Sequence, residues 1–461
     1  AALPGPQARS AVAEATRTVQ WNVDGWMVGL MYASMAVALV VCAYGVWRRV
    51  RIWRLGRPVD RFDRPWRRLE RTLVDALGQA SVMDRPLPGL MHGLMYGGFL
   101  ALFAATVVVF VHHDLGLPIM RGRFYLYFQS LFVNLAGALA MVGVGIAAAR
   151  RYLARPPELE RREPADGLIL LIFFLILATG FVVSGARIEA TGDTWGTWRP
   201  VSRLTGTAIA AVVPGPEGLR AVHASTWVVH VLLWHAALAA APFTKLFHVL
   251  SSTLSVYFSE QGAPSTIPTL DFDAVDETAS LGIGAPSDMT WKQLLELDAC
   301  TECGRCEAVC PAWAEGKPLS PKRVILDLRD HVRAHADELL AAKGRAAGEG
   351  RAVEGSAATA EGPRAGNEPP CLAGDVIRPE TIWACTTCRA CEEACPVGIE
   401  HVPLIVGLRR HLSMEQARAP DGVADLVSGL ESRGHPFRGA SSSRVDWFRT
   451  SAGDPDRGER S

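Results

Sequence analysis

Five apolar segments limit this chain's folding more than any other feature. They lie at about Trp26–Trp47, His92–Val111, Leu126–Ala149, Gly167–Val183 and His223–Leu250. Each is apolar over a length suited to crossing the hydrocarbon core of a bilayer. Backbone N–H and C=O groups find no water there, so such segments must close their own hydrogen bonds as helices. The fourth is short, and Ser184 and Gly185 extend it into the interface. The fifth contains Pro242, which predicts a bend or a loosening of the helix there. The first is too long for a cleaved signal peptide and has no basic stretch before it. The chain opens at Ala1 without Met, which reads as a processed or trimmed start.

Arginines orient the segments. Ten Arg fall within Arg48–Arg71, and Arg150, Arg151, Arg155, Arg161 and Arg162 follow the third segment. The loop between the second and third segments holds only Arg121 and Arg123, and the loop 186–222 holds four Arg. The positive-inside rule puts the basic loops in the cytoplasm, the N-terminus outside, and everything after the fifth segment inside.

Beyond residue 250 the chain is polar and carries nine of its ten Cys, eight of them in two tight groups. Lys plus Arg and Asp plus Glu are 47 each, which excludes a strongly basic nucleic-acid binder. The eight Cys form two runs, Cys300-x2-Cys303-x2-Cys306-x3-Cys310-Pro311 and Cys385-x2-Cys388-x2-Cys391-x3-Cys395-Pro396. Three cysteines at this spacing wrap one corner of an iron–sulfur cubane, and the fourth ligates the neighbouring cluster. The expected sets for two [4Fe–4S] clusters are Cys300, Cys303, Cys306 with Cys395, and Cys385, Cys388, Cys391 with Cys310. Paired zinc sites are the competing reading, and this doubled motif is far more specific for iron–sulfur. A cytoplasmic location argues against disulfides. Cys371 and Cys42 read as bystanders. His331 and His335 lack the Glu of a zincin and fall on a helix at about Pro321–Ala342. Residues 341–370, rich in Ala, Gly, Glu and Arg, read as a flexible insertion.

The histidines of the apolar half sit on its second and fifth segments: His92, His112, His113, His223, His230, His235 and His248. Ionisable groups inside a membrane are costly and usually functional. On a continuous helix, 18 residues bring His230 and His248 to one face. His223 lies close to that face and His235 points away. His92 and His113 share a face of the second segment, and His112 does not. Facing imidazoles suit a bis-His haem b. His92 with His248 forms the inner pair, and His113 with His230 or His223 the outer one. Gly93, Gly97 and Gly98 leave room for a flat macrocycle. Roughly 31 Å separates His92 from His113 along a helix, nearly the full hydrocarbon thickness.

Five spans with histidines on the second and fifth resemble the cytochrome b (gamma) subunit of respiratory nitrate reductases. Trp227-Val-Val-His230 and Pro242-Phe-Thr-Lys245-Leu-Phe-His248 are similar to membrane cytochromes of heterodisulfide-reductase-like complexes. The spacing of His92 and His113 departs from the nitrate reductase pattern. Leu297-Asp-Ala-Cys300-Thr-Glu-Cys303, Lys317-Pro-Leu-Ser-Pro321 and Trp383-Ala-Cys385-Thr-Thr-Cys388-Arg-Ala-Cys391 resemble iron–sulfur oxidoreductases of the heterodisulfide reductase type. The order, cytochrome b and then a two-cluster ferredoxin, is similar to electron-transfer-flavoprotein:menaquinone oxidoreductases. Such proteins usually continue into a cysteine-rich CCG region. Here Gly434-His-Pro-Phe437 and Asp446-Trp447 look like the linker into it, and no CCG pair follows. Either the chain is truncated or the catalytic part is another subunit.

The expected fold is mainly α: an extracytoplasmic segment 1–25, a five-helix transmembrane haem b bundle 26–250 and a linker 251–289. An α-helical two-cluster ferredoxin-like domain 290–415 and a tail 416–461 complete it. The expected function is respiratory electron transfer in the cytoplasmic membrane, among a cytoplasmic donor, two clusters, haem b and menaquinone or ubiquinone, with quinone reduction favoured. The alternatives are a non-catalytic membrane anchor and relay subunit of a larger hydrogenase or heterodisulfide-reductase-like complex, with a CCG-type, flavoprotein or hydrogenase subunit as its partner, and a membrane-tethered iron–sulfur sensor. Expected partners are quinone, membrane lipid and the donor protein, with no nucleic acid.

Overall fold

The first four apolar segments each form one helix, and each helix runs beyond the apolar stretch that marks it. The computed structural model describes residues 12, 14–161, 163–213, 215–262, 267, 269–270, 280–348 and 370–436. The five helices fit to cross a membrane are α1 (Gly25–Trp53), α2 (Pro86–His113), α3 (Gly122–Ala154), α4 (Pro164–Thr191) and the span Gly215–Phe243. A shorter helix the sequence did not announce, α5 (Pro200–Val212), precedes α6 (Gly215–Ala240), the regular part of that last span. Among the described residues there is no strand, only two isolated bridges. The chain is a helical membrane protein.

Local chemistry sets the ends of α4. Pro164 occupies the first turn, where a missing N–H costs nothing. Asp166 accepts the Glu163 N–H at 3.3 Å, and Gly192 closes the other end in the left-handed region at φ +59°. Small residues set helix–helix distances. A Cβ on Gly98 would stand 2.5 Å from the Ala140 Cβ, so α2 and α3 touch there; a Cβ on Gly185 would meet the Gly206 backbone of α5 at 2.6 Å.

The fifth segment departs from expectation. It is interrupted at Pro242, the place where a bend or a loosening was expected, and the interruption is a full break. α6 ends at Ala240, Ala241–Phe243 is a 3-10 turn, and Thr244 is extended at φ −125°, ψ 179°. A second turn, Lys245–Phe247, leads into α7 (His248–Tyr257). Pro242 has no N–H to continue the ladder. The five-turn relation between His230 and His248 therefore does not hold, because no continuous helix joins them.

The residues group into two compact units. The first holds Ala1–Pro264, Thr290–Cys310 and Ala390–Glu400; the second holds Ser265–Met289, Pro311–Arg389 and His401–Ser461. In the first, α8 (Trp291–Ala299) packs on α7. Thr290 caps α8 by accepting the Gln293 N–H at 3.2 Å. In the second, α9 (Pro321–Ala334) and the helix Ala336–Gly348 divide at His335, where one helix was expected. Residues 341–348 of the expected insertion are thus helical, and 349–369 lie outside the described residues, as do most of 263–279 and all of 437–461.

A buried ionic network ties α8 to its surroundings. Lys292 and Glu296 form an ion pair one turn apart, both 1% exposed. Lys292 also donates to the Ser255 hydroxyl at 3.3 Å, and the Glu400 N–H donates to Glu296 at 3.1 Å. Burial, with the nearby Glu400 carboxylate, holds Glu296 above the usual carboxylate range against the pull of Lys292. Removing one member of a buried pair costs about 3–5 kcal/mol. Lys292→Met should destabilise the first unit by about that much at alkaline pH, where Glu296 is ionised without its counter-ion. The loss should shrink as falling pH protonates Glu296, and Lys292→Met/Glu296→Gln should recover most of it. Denaturant titration in detergent decides; equal losses in both variants, or no pH dependence, would contradict this account.

Candidate cofactor sites

The two Cys runs share one backbone pattern. Glu302 (φ +59°) and Gly304 (φ +74°) in the first run match Thr387 (φ +53°) and Arg389 (φ +62°) in the second. Left-handed residues alternating with right-handed ones turn successive N–H groups to the same side, a concavity that receives anionic centres such as iron–sulfur clusters. In the second run the Thr387 N–H reaches the Cys385 sulfur at 3.3 Å. Gly304 is required twice: φ is positive, and a Cβ would lie 2.4 Å from the Cβ of Glu158.

Cys395, distant in sequence from the first run, lies within the field of Cys306 together with Cys300 and Cys303. Burial and then those three sulfurs push the Cys306 thiol up. Burial pushes Cys395 up to about 11, against the N–H groups of Ile399 and Val397. The short helical turns Arg305–Ala308 and Ala390–Glu393, which carry Cys306 and Cys391, pack together. Among the described residues no three His, Cys, Asp or Glu side chains converge on a point where one metal ion could sit. Thiolates around a cubane bind separate irons and need not converge so closely.

The peptide before Cys300 is seated on the spanning helices. Asp298 takes Arg49 at 3.1 Å and the Trp53 indole N–H at 3.0 Å, both from the end of α1. Ser251 and Ser252, in the first turn of α7, donate to the carbonyls of Asp298 and Ala299 at 3.0 and 3.1 Å. Lys245 reaches Glu302 and Asp166, each at 2.9 Å. Arg305 donates to the carbonyls of Ser81 and Val82.

At this same end, His92 and His248 face each other with ring centroids 6.5 Å apart. An imidazole nitrogen binds a transition metal at about 2 Å, so two imidazoles sharing one iron stand with centroids roughly 6 Å apart. His248 Nδ1 lies 2.6 Å from the Lys245 carbonyl, so Nδ1–H donates and the Nε2 lone pair is left for a metal. His92 Nδ1 is buried without a partner. These residues fit a bis-His haem. Of the three glycines expected to make room for it, Gly98 packs on α3, Gly93 lies against Met83, and Gly97 faces open space.

The outer histidines are placed differently. His230 Nδ1 sits 2.9 Å from the Thr179 hydroxyl on α4, and Gly180 leaves space beside its ring. His113 pairs with Asp114 at 3.6 Å and is 38% exposed. His223 is buried against Trp21 and Asn22. His235 hydrogen-bonds Ser34 at 2.8 Å, in keeping with a structural role, and His112 accepts the Met120 N–H.

Residues 299–399 match the 4Fe-4S dicluster domain family, so the second half carries a dicluster iron–sulfur domain. Over 430 residues the chain is 33% identical to the EtfAB:quinone oxidoreductase of Syntrophomonas wolfei, covering 91% of this chain and 59% of that protein. It is 33% identical over 419 residues to a probable membrane-anchored ferredoxin of Chromohalobacter salexigens, covering 89% of this chain and 56% of the relative. A shorter match, 29% over 164 residues, covers 35% of this chain and 34% of one subunit of the dihydromethanophenazine:CoB–CoM heterodisulfide reductase of Methanosarcina mazei. The chain thus spans less than two-thirds of the length of these relatives. No solved structure is significantly similar.

Cys371, set aside in the sequence, belongs to a polar network in the second unit. Its sulfur lies 3.2 Å from His411 Nε2, and His411 Nδ1 lies 2.7 Å from Glu415. Glu415 also accepts the Gly282 N–H at 2.7 Å and the Ser280 hydroxyl at 2.9 Å. Burial alone would lower His411, but the hydrogen bonds and charges of Cys371 and Glu415 carry it up to about 9. A raised histidine stabilises the fold fully below its unfolded value of 6.5 and loses that contribution as pH climbs through about 9. Thermal melts between pH 6.5 and 10 should show the second unit weakening across that window, and His411→Gln should flatten the slope. A His411→Gln profile parallel to the parent's would contradict this.

Proposed function

We propose that this chain passes electrons between a cytoplasmic donor and the quinone pool through two [4Fe–4S] clusters and haem b, with quinone reduction the favoured direction. Loaded into these sites, the clusters and haem supply the one-electron transfer that no side chain here can perform. Cys300, Cys303, Cys306 and Cys395 hold one cluster, and Cys385, Cys388, Cys391 and Cys310 hold the other. His92 and His248 hold the inner haem. His230, whose Nε2 Thr179 leaves free, carries an outer one with His113 or His223.

A single observation carries the reading. The helix that begins with His248 holds the carbonyls of Asp298 and Ala299 through Ser251 and Ser252. Ser252 is one helical turn, about 6 Å, from His248, and Ala299 precedes Cys300. The inner histidine and the first Cys run are therefore parts of one rigid joint. The Arg-rich loop Arg48–Arg71 lies at this end, which supports the N-terminus outside and the Cys runs inside. The name of the Syntrophomonas relative joins EtfAB to quinone, which supports an EtfAB-like protein as donor. A second reading, a relay subunit serving a CCG-type or hydrogenase partner, draws on the match to a heterodisulfide reductase component. Quinone turnover by the isolated chain separates the two.

His92→Ala and His248→Ala should each remove the same low-spin haem b and leave the clusters in place; an unchanged haem spectrum in either defeats the assignment. Cys395→Ser should perturb the cluster of Cys300, Cys303 and Cys306 rather than its neighbour in sequence. Reduction of haem by the cytoplasmic donor should then fail, while reduction from the quinone side persists. Reduced-state EPR with iron and haem counts reads these outcomes, and two intact clusters in Cys395→Ser would show the ligand exchange to be wrong.

A further inference from the structure

At the end of the bundle away from Cys300, the described residues of the first unit bury more positive charge than they neutralise. Arg187, near the last turn of α4, pairs with Asp193 at 2.9 Å, with side chains 7% and 9% exposed. Arg199, buried just before α5, donates to the Tyr125 hydroxyl at 3.1 Å and lies over that ring at 5.4 Å. Neither contact gives Arg199 an anion. Arg17 approaches the same place from the segment before α1, whose Ala15 backbone is tied to Gly122 at 2.7 Å. The Nε groups of Arg17 and Arg187 are buried and bond to nothing. Burial and the like charges of Arg199 and Arg187 hold Arg17 down, to about 9. Among the described residues, three guanidiniums thus share one carboxylate.

A buried lysine or histidine can shed its proton to escape such a position, but a guanidinium at neutral pH cannot. Burying an uncompensated ion costs several times what a surface ion pair returns. The planar fork of an arginine fits carboxylate and phosphate oxygens, which accept two N–H groups side by side. The place lies where α4 and α6 leave the apolar zone, beside His223 and Trp21. A group arriving there from the membrane would bring its charged oxygens to the arginines and keep its apolar part among the helices.

We infer that Arg17, Arg187 and Arg199 form a binding site for the oxyanion of an amphiphile, a carboxylate or phosphate whose apolar body lies in the bundle or the bilayer. Two sources share that chemistry: the phosphate of an anionic lipid and the propionate carboxylates of a haem held by the outer histidines. Only the second rests on the outer haem proposed above.

The test uses the full chain with Arg17→Met and Arg199→Gln. Stripped of lipid and haem, both variants should melt higher than the parent, because each removes an unpaired buried cation. A merely structural role would make both melt lower in every condition. In phosphatidylglycerol nanodiscs the parent should gain stability over phosphatidylcholine nanodiscs and retain lipid phosphorus after detergent washing, and the variants should lose both effects; this identifies the lipid phosphate. If carboxylates are the ligand, the parent should bind protohaem at least tenfold tighter than its dimethyl ester, and the variants should lose most of that preference. Charge removal should also lower the midpoint potential of the outer haem, since a nearby cation favours the reduced state. The proposal fails if the parent distinguishes neither the two lipids nor the two haems, or if the variants are destabilised alike with and without ligand.

Discussion

Asp298 joins the two kinds of structure in this chain. Its carboxylate is shared by Arg49 and Trp53 at the end of α1, and its carbonyl takes the Ser251 hydroxyl of α7. The side chain is 6% exposed, so these contacts form away from bulk water, where a charge-assisted pair is strong and an unpaired partner costly. Trp53 also stacks on Phe247, and Arg49 takes the Pro242 carbonyl left without a helical donor. The break in the fifth segment is therefore part of the joint. A continuous helix would hide the Pro242 carbonyl and place His248 elsewhere, and Cys300 would lose the surface that holds it.

The sequence made legible whatever depends on local spacing. Apolar runs of membrane length and the three-residue steps of the Cys motifs are short-range patterns, and both appear where expected. Cys395 was assigned to the first run because a fourth cysteine preceding Pro points away from its own run; in the folded chain its charge acts on Cys306, and the ligand exchange stays the proposal made above. What failed was continuation through Pro242. A proline in an apolar run permits a bend as well as a break, and the Arg49 contact that secures the break comes from a helix almost two hundred residues earlier. Gly98 was read as space for a cofactor, whereas Ala140 fills that space from another helix. Cys371, His411 and Glu415 belong to no local motif, and the three arginines lie on three separate segments, so only the folded chain reveals either group.

Arginines in the loop after α1 serve two ends at once. Arg68, 1% exposed, holds the carbonyls of Tyr257 and Ser259 at 3.0 and 2.7 Å and closes the end of α7. Arg61 holds Glu260 and Glu400, the latter at 2.7 Å. Counted as charge, these residues are what the positive-inside rule reads. Used as donors, they fix the last turn of the helix that begins with His248 and the segment that follows Cys395. The two uses reinforce each other. Lysines at these positions would give the same positive-inside bias, but one ammonium lacks the spread of donors with which Arg68 reaches two carbonyls while its Nε holds the Asp63 backbone. The choice of arginine over lysine here thus follows from assembly of this end of the bundle, and it places the loop's positive charge within the structure that positions the first Cys run.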